Sequence, residues 1–228
     1  MSIDDSSQVP VRVWDLPTRA FHWLLVISVL ALIITGHVGG SALDWHLRLG
    51  LWVGALLVFR LVWGLVGGRW SRFASFIYAP ATVIRYLKGQ HRPGDHFEVG
   101  HNPLGSFSVF ALLALLIVQV GTGLVSDDEI ATTGPLNRFV SSAAGLTATH
   151  WHKDAGQWLL IALVVLHLCA IAFYKLRGHN LVPAMITGDK TLPADVPAST
   201  DSPATRVVAA VVLALCLAAA VWVSRLGG

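Results

Sequence analysis

Five long apolar runs constrain this chain more than any other feature of its sequence. They cover roughly residues 21–37, 46–66, 103–124, 152–174 and 207–223. Each is long enough to cross the hydrocarbon core of a bilayer, about 30 Å thick, as an α-helix. Of the 228 residues, 54% are hydrophobic and only 13% are charged, which is unlike a soluble domain of this length. The sequence therefore predicts an all-α membrane protein with five transmembrane helices.

The distribution of Lys and Arg predicts how the chain crosses the membrane. Basic residues are concentrated in the N-terminal tail and in the segments 68–102 and 175–206. The segments 38–45 and 126–151 together contain a single basic residue, Arg138. Because loops rich in Lys and Arg stay on the cytoplasmic side, we expect a cytoplasmic N-terminus and a periplasmic C-terminus.

The apolar runs and the polar segments between them divide the chain into four parts. These are a cytoplasmic tail (1–19), a four-helix unit (20–178), a cytoplasmic linker (179–204) and an extra transmembrane helix with a short outer tail (205–228). Within the second part, residues 71–88 place apolar side chains at helical spacing between basic ones. That pattern is typical of an amphipathic helix on a membrane surface.

Histidines recur near the ends of the predicted spans. His22 and His167 fall near the cytoplasmic ends of spans one and four, and His46 and His152 near the outer ends of spans two and four. Two imidazoles from different helices at one depth can bind the iron of haem b from opposite faces, so two depths suit two haems. His37 lies fifteen residues after His22, the same spacing as His152 to His167. Spacing alone leaves His37 and His46 open as the outer ligand.

The cysteines exclude two other kinds of metal site. The two cysteines, Cys169 and Cys216, both lie in apolar runs. There is no Cys-x-x-Cys-His motif, which excludes covalently attached c-type haem, and no zinc-binding spacing.

Several short motifs occur in order along residues 11–190. They are Val13-Trp14-Asp15, Arg19-Ala20-Phe21-His22-Trp23, Trp45-His46, Phe59-Arg60, Gly100-His101-Asn102-Pro103-Leu104-Gly105, Gly121-Thr122-Gly123-Leu124, Trp151-His152 with His167, Asn180-Leu181-Val182 and Ala184-Met185-Ile186-Thr187-Gly188. This ordered set resembles the bacterial cytochrome b561 family, whose relatives include the b-type subunits of nickel-iron hydrogenases. The fifth span departs from the four-helix pattern of the shortest relatives.

The resemblance implies a cofactor and a ligand set. It implies a four-helix transmembrane haem-binding bundle in the bacterial inner membrane, followed here by the fifth helix. Its cofactors would be two haem b, with His22, His46, His152 and His167 as the axial ligands of the iron. The resemblance favours His46 over His37.

The resemblance also implies a function. A protein of this kind transfers electrons between a periplasmic redox enzyme or c-type cytochrome and the quinone pool of the respiratory chain. The alternative is a superoxide oxidase that passes electrons from superoxide to ubiquinone without a protein partner. A third hypothesis is a haem-free anchor or transporter. Contacts with membrane lipid and quinone are expected and none with nucleic acid, a homodimer is left open, and no catalytic residue is assigned.

Three polar residues near the cytoplasmic side are further candidates. Arg60 is the one full charge well inside a predicted span, and its burial costs on the order of 3 kcal/mol unless it is paired or reaches the headgroups. It is therefore expected either to bind a haem propionate or to extend to the headgroups. His101 and Asn102, at the mouth of span three, are expected to form a quinone site or to be ordinary interfacial residues.

At the outer side, Arg48, His150 and Lys153 are candidates for binding a haem propionate or guiding a small anion. The acidic segment 127–129 lies in the same predicted outer region and would repel an anion. Five glycines within the spans would either leave space for a flat macrocycle or allow close helix packing: Gly50, Gly54, Gly121, Gly123 and Gly156.

Overall fold

The computed structural model describes residues 8–90, 92, 94–130 and 132–227. The first seven residues of the predicted cytoplasmic tail lie outside this part. Eight helices are present in the described chain: α1 (Leu16–Val38), α2 (Ala42–Val66), α3 (Pro80–Leu87), α4 (Pro103–Val125), α5 (Ser142–Lys153), α6 (Ala155–Leu176), α7 (Val182–Thr187) and α8 (Pro203–Ser224). Two strands accompany them, β1 (Gln8–Arg12) and β2 (Asp189–Pro193).

Five stretches of the described chain are long and apolar enough to span a membrane. They are α1, α2, α4, the α5–α6 stretch Ser142–Leu176, and α8, with a mean hydropathy between 2.0 and 2.7. Many of their large apolar side chains are exposed, as expected of surfaces that face lipid rather than a protein core. The prediction of an all-α, multi-pass membrane protein with five spans is confirmed.

The fourth span differs from the sequence prediction. The apolar run starts at His152, but the helix starts ten residues earlier, at Ser142, and is interrupted at Asp154, where ψ is −89°. The carboxylate of Asp154 is held by His150 at 2.5 Å, and such short polar side chains favour helix ends over helix interiors. His152 therefore lies in the last turn of α5 and His167 in α6, so they do not share one continuous helix.

The described chain divides into two compact units. Unit 1 comprises Met1–Ala20, Leu61–Phe110 and Leu168–Ala209. It contains an antiparallel sheet in which β1 pairs with β2, from Gln8 opposite Pro193 to Arg12 opposite Asp189. The sequence did not predict this sheet, whose two strands fall in the expected tail and linker. Its apolar core consists of Val11, Val13, Trp14, Trp70, Val99, Ala184 and Leu192.

Asp15 is the buried acceptor at the start of α1 in unit 1. Its side chain has no solvent exposure. It accepts hydrogen bonds from the backbone N–H of Thr18 at 2.8 Å, the backbone N–H of Gly68 at 2.8 Å and the indole Nε1 of Trp63 at 3.2 Å. The Thr18 bond is an N-cap, which explains why α1 begins at Leu16 rather than near residue 21. A carboxylate also suits the positive end of the helix dipole.

Asp201 joins the start of α8 to the rest of unit 1. Its side chain is 4% exposed and pairs with Arg12 at 2.5 Å and with Arg206 at 2.9 Å. Arg12 also pairs with Asp189 of β2 at 2.6 Å. Burial of the Asp201 carboxyl opposes its ionisation, but hydrogen bonds from Arg206 and Arg12 outweigh burial and hold its pKa below the ordinary value.

Unit 2 comprises Phe21–Arg60, Ala111–His167 and Ala210–Gly228. Within it, the indole Nε1 of Trp52 on α2 donates to the hydroxyl of Ser28 on α1 at 3.0 Å. Such bonds between helices satisfy polar groups that lipid cannot solvate.

The predicted amphipathic segment 71–88 contains a 3₁₀ turn, Phe73–Ser75, and helix α3. The side chains of Ile77, Ile84 and Leu87 are exposed. Exposed apolar groups beside basic ones are what a surface-lying segment needs for contact with lipid.

The ion pairs of Asp201 predict a stability that depends on pH. A carboxyl whose pKa is lower in the folded than in the unfolded chain stabilises the fold above its unfolded pKa, about 3.9, and this contribution is lost as pH falls through the folded pKa. We expect Asp201→Asn to destabilise the 189–206 segment by about 1–3 kcal/mol at neutral pH, since charged hydrogen bonds are lost. The measurement is limited proteolysis of this segment from pH 7 down to pH 3.

Asp195→Asn is the matched control, because Asp195 is an exposed residue in the same segment. It should leave the cleavage rate unchanged. If Asp201→Asn were as resistant as the unchanged protein at pH 7, the ion pairs would not hold the segment.

Candidate functional site

The structure brings His46 and His152 together within unit 2. The centroids of the two imidazole rings are 6.0 Å apart, and the ring planes are inclined at 89°. A metal ion between two imidazoles, with bonds of about 2 Å to each, separates ring centroids by about 6 Å once the half-width of each ring is added. The centroid spacing is therefore compatible with one metal held between the two imidazoles.

His46 is oriented by a backbone carbonyl of the neighbouring helix. Its Nδ1 lies 3.0 Å from the carbonyl oxygen of Leu32 on α1. A carbonyl oxygen can only accept, so the Nδ1 of this neutral imidazole carries the proton and Nε2 keeps its lone pair. A lone pair on Nε2 is what a metal ligand requires.

His152 is oriented in the same way by α4. Its Nδ1 lies 2.8 Å from the carbonyl oxygen of Gln119. The side-chain amide of Gln119 in turn donates to the backbone carbonyl of His152 at 2.7 Å. This reciprocal pair joins α4 to the last turn of α5, and by the same argument it leaves the lone pair of His152 on Nε2.

His37 is arranged differently from His46. Its Nδ1 donates to the carbonyl of Ile33 in its own helix at 2.8 Å, and its Nε2 accepts from the side-chain amide of Gln157 at 3.2 Å. The side chain is exposed. The nitrogen that a metal would need is therefore already used, which favours His46 in the choice that the spacing left open.

His22 and His167 form the second pair that the sequence predicted. Both side chains are half-buried, and they lie close enough to interact electrostatically. The ring of His22 meets that of Trp23 edge to face, with centroids 5.1 Å apart. Among the described residues, the buried Nδ1 of His22 has no hydrogen-bond partner, unlike Nδ1 of His46 and His152.

The glycines of unit 2 separate into two groups. A Cβ added at Gly50, one turn beyond His46 on α2, or at Gly121 on α4 would meet nothing within 4 Å. At Gly54 it would meet only Val120, at 3.3 Å. At Gly123 it would instead meet the ring of His152, and at Gly156 the side chain of Gln119. Open space at Gly50, beside His46, therefore leaves room for a flat group, whereas Gly121 is exposed, and Gly123 and Gly156 serve contacts within the protein.

The donor set indicates what kind of metal group fits. Within the described ranges there is no cluster of three or more His, Cys, Asp or Glu side chains that could hold a bare ion. Two facing imidazoles suit a metal that brings its other ligands with it, as the iron of a porphyrin does.

The three candidate residues of the outer side have separate surroundings. Arg48 stacks over the ring of Trp45, 5.4 Å from its centroid, and His150 pairs with Asp154. Lys153 is exposed at the end of α5. Within the described residues, no hydrogen bond or ion pair joins Arg48, His150 and Lys153 to one another. Arg60, by contrast, is only 3% exposed, as a buried propionate partner would be.

His101 and Asn102 lie in unit 1, and the protein itself surrounds them. The ring of His101 is 4.7 Å from that of Trp14 and 4.6 Å from that of Phe76. Asn102 accepts from the backbone N–H of Gly105 at 2.7 Å, which caps α4. These contacts give both residues a structural role at the start of α4.

A group of phenols beside Asn102 was not foreseen from the sequence. Asn102 donates to the hydroxyl of Tyr174 at 2.8 Å, and that hydroxyl lies 3.0 Å from the hydroxyl of Tyr86. Burial, and then the hydrogen bond with Tyr174, raise the pKa of the Tyr86 phenol above its ordinary value. The Tyr86 phenol therefore keeps its proton available as a donor. No spacing rule links residues 86 and 174, so only the fold reveals the pair.

Comparison with known proteins identifies the family. The family model of prokaryotic cytochrome b561 matches residues 13–188. The chain belongs to the prokaryotic cytochrome b561 family. It is thus a b-type membrane cytochrome, which implies haem b and electron transfer. The motifs on which the resemblance was based lie almost entirely inside the matched residues.

Curated relatives agree with this assignment. The chain is 25% identical over 213 residues to a probable Ni/Fe-hydrogenase B-type cytochrome subunit of Rhizobium leguminosarum bv. viciae, covering 79% of this chain and 88% of the relative. It is 25% identical over 211 residues to the probable Ni/Fe-hydrogenase 1 B-type cytochrome subunit of Escherichia coli K12, covering 77% and 88%. A Cupriavidus necator relative with the same function in its name is 26% identical over 212 residues, covering 78% and 86%. No solved structure matches the chain significantly.

The arrangement of this b561 member predicts unequal effects for two histidines on neighbouring helices. We expect His46→Ala to lower the haem b content of the purified protein, because it removes an imidazole whose Nε2 is available. His37→Ala should leave the content unchanged, because its Nε2 is bound to Gln157. Both are measured as pyridine haemochrome per polypeptide. The opposite order of effects would assign the ligand to His37.

Proposed function

We propose that this chain is a di-haem cytochrome of the bacterial inner membrane that carries electrons between a periplasmic redox enzyme and the quinone pool. The imidazole pair of His46 and His152 carries this proposal, since the spacing of the ring centroids is compatible with one metal held between them. When bound there, haem b supplies a one-electron iron couple. The residues of the chain hold the macrocycle, orient its ligands and exclude water.

The second haem of the proposal rests on His22 and His167. The two imidazoles come from α1 and α6 and lie within electrostatic range of each other. Arg60, on α2 and almost fully buried, is proposed to bind a propionate of this haem. A propionate is an anion that a buried guanidinium can bind through charged hydrogen bonds.

The curated relatives support the proposal that the electron donor is a periplasmic redox enzyme. Those described above are named as subunits of Ni/Fe-hydrogenases, and this chain covers 86–88% of their length. A chain that matches such subunits along most of their length is suited to a similar partner, and we take that partner to be a periplasmic redox enzyme. Arg48, His150 and Lys153 belong to the predicted periplasmic side, where such an enzyme would dock or a propionate would be bound.

The electron acceptor is proposed to be a quinone on the cytoplasmic side. His101 and Asn102 remain the proposed location, with the hydroxyls of Tyr86 and Tyr174 as additional donors close by. Because the ring faces of His101 lie against Trp14 and Phe76, a quinone would be bound through the neighbouring hydroxyls rather than by stacking on this imidazole.

The proposed orientation follows from the basic loops, with the N-terminus in the cytoplasm and the C-terminus in the periplasm. Arg69 and Arg72, between α2 and α3, are exposed, as are Lys175 and Arg177 at the end of α6. Exposed cations at these helix ends fit the anionic headgroups of the cytoplasmic leaflet.

Superoxide oxidation without a partner is the alternative that can be tested directly. Purified protein is mixed with superoxide and a soluble ubiquinone analogue, and quinol formation is followed. We expect no rate above that of the uncatalysed reaction, because His150 is paired with Asp154 and the segment 127–129 is acidic. Rapid quinol formation from superoxide alone would replace the proposed function with the alternative.

Haem counting tests the proposal itself. The purified protein should contain two haem b per polypeptide, and His152→Ala should contain one, since a single imidazole holds a haem weakly. Thr147→Ala is the matched control, because Thr147 lies in the same helix, is exposed and donates its hydroxyl to the carbonyl of Ala143 in that helix. It should retain both haems. A colourless protein, or one with a single haem, would end the di-haem account.

A further inference from the structure

The two orienting carbonyls belong to the same local motif on two different helices. On α1, the acceptor Leu32 is followed by Thr35 and Gly36, at positions i+3 and i+4. The ring that donates to Leu32 comes from His46, on the next helix along the chain. The motif therefore consists of a carbonyl, a threonine and a glycine on one helix and an imidazole supplied by the following one.

The same motif recurs on α4. Gln119 is the acceptor, and Thr122 and Gly123 follow it at i+3 and i+4. The ring is that of His152, on the next helix along the chain, α5. Two different helices thus orient the imidazoles of His46 and His152 through the same kind of contact.

The glycine of each motif gives the ring access to the carbonyl. In an α-helix the side chain of residue i+4 lies over the turn that contains the carbonyl of residue i. A Cβ at Gly36 would be 3.1 Å from Cε1 of His46, and one at Gly123 would be 2.9 Å from Cε1 of His152. Any other residue would push the ring away from the oxygen to which it donates.

The threonine of each motif places a hydroxyl oxygen beside the imidazole N–H. Thr35 Oγ1 donates to the carbonyl of Ala31 at 2.7 Å, and Thr122 Oγ1 donates to that of Val118 at 2.8 Å. Each hydroxyl proton is thereby used within its own helix. Oγ1 of Thr35 lies 3.4 Å from Nδ1 of His46, and Oγ1 of Thr122 lies 3.4 Å from Nδ1 of His152.

We propose that Thr35-Gly36 and Thr122-Gly123 are positioning residues, which form two equivalent clamps that set the tautomer and ring plane of His46 and His152. The proposal rests on the proposed function, in which these rings are axial ligands. The clamps act through the imidazoles and need no contact with the haem. Together they hold the two ring planes perpendicular, at 89°.

Perpendicular axial imidazoles have a spectroscopic signature. They give low-spin ferric haem a highly anisotropic EPR signal, whereas nearly parallel planes give a rhombic one. We expect the highly anisotropic signal from the haem that is lost in His152→Ala. A hydrogen bond from Nδ1–H to a carbonyl also makes the imidazole a stronger electron donor, so weakening this bond should raise the midpoint potential of that haem.

The test compares substitutions at neighbouring glycines of α4. Gly123→Ala places a methyl group against the ring of His152, and it should change the EPR signal and raise the midpoint potential while both haems remain bound. Gly121→Ala is the matched control, because Gly121 is exposed and a Cβ there meets nothing within 4 Å. It should change neither property. Gly36→Ala should act like Gly123→Ala, but more weakly, since its closest contact is longer.

A second pair of variants tests the clamps if the Gly123→Ala protein fails to bind haem. Thr122→Val keeps the shape of the side chain and removes the hydroxyl, and it should shift the same EPR signal. Thr122→Ser restores the hydroxyl and should restore the signal.

Failure of the clamps is distinguishable from failure of the proposed function. Two haems per chain, with an EPR signal and potential that none of these substitutions moves, would overturn the clamps and leave the proposed function intact. An unchanged chain without two haems would overturn the proposed function instead.

Discussion

A hydrogen bond from an imidazole N–H to the backbone carbonyl of a neighbouring helix is the interaction on which the candidate site depends. In the apolar part of a bilayer no water is present to satisfy a ring nitrogen, so an unpaired N–H carries a desolvation cost of several kcal/mol. The bonds of His46 to Leu32 and of His152 to Gln119 remove that cost. They also decide the tautomer, because the nitrogen that donates cannot be the nitrogen that ligates. One bond therefore satisfies a ring N–H and leaves the lone pair on Nε2.

The polar parts of the chain depend on buried carboxylates instead. Asp15 gathers donors from three chain segments, and Asp201 joins the N-terminal strand to the first turn of α8 through Arg12 and Arg206. Arg12 and Asp201 are separated by 189 residues in sequence. A five-residue, two-stranded sheet is at best marginally stable by itself, which explains why charged bonds and an apolar core accompany it.

Long elements were predictable from the sequence and short ones were not. The five spans follow from length and hydropathy, since nothing else accommodates so many apolar residues. The start of α5 was missed because Ser142–Thr149 is helical without being strongly apolar. The interruption at Asp154 was missed because the span was taken to start at His152, so that the polar residues 152–154 were counted as its first turn. Strands β1 and β2 are too short for alternation to be recognised, and each contains a proline, which a sequence reading takes as a sign of a loop.

The candidate site was also only partly predictable from the sequence. Spacing identified five histidines with the right depth, but it could not separate His37 from His46. Nδ1 of both rings donates to a main-chain carbonyl, which carries no sequence signal, and Nε2 of His37 is also bound by the side chain of Gln157 on another helix. Glycine was equally ambiguous by itself. Gly50 faces open space, Gly123 lies against an imidazole, and Gly188 has φ +94°, a conformation that favours glycine. A glycine becomes informative only when its neighbour is known, and here the neighbour is supplied by another helix.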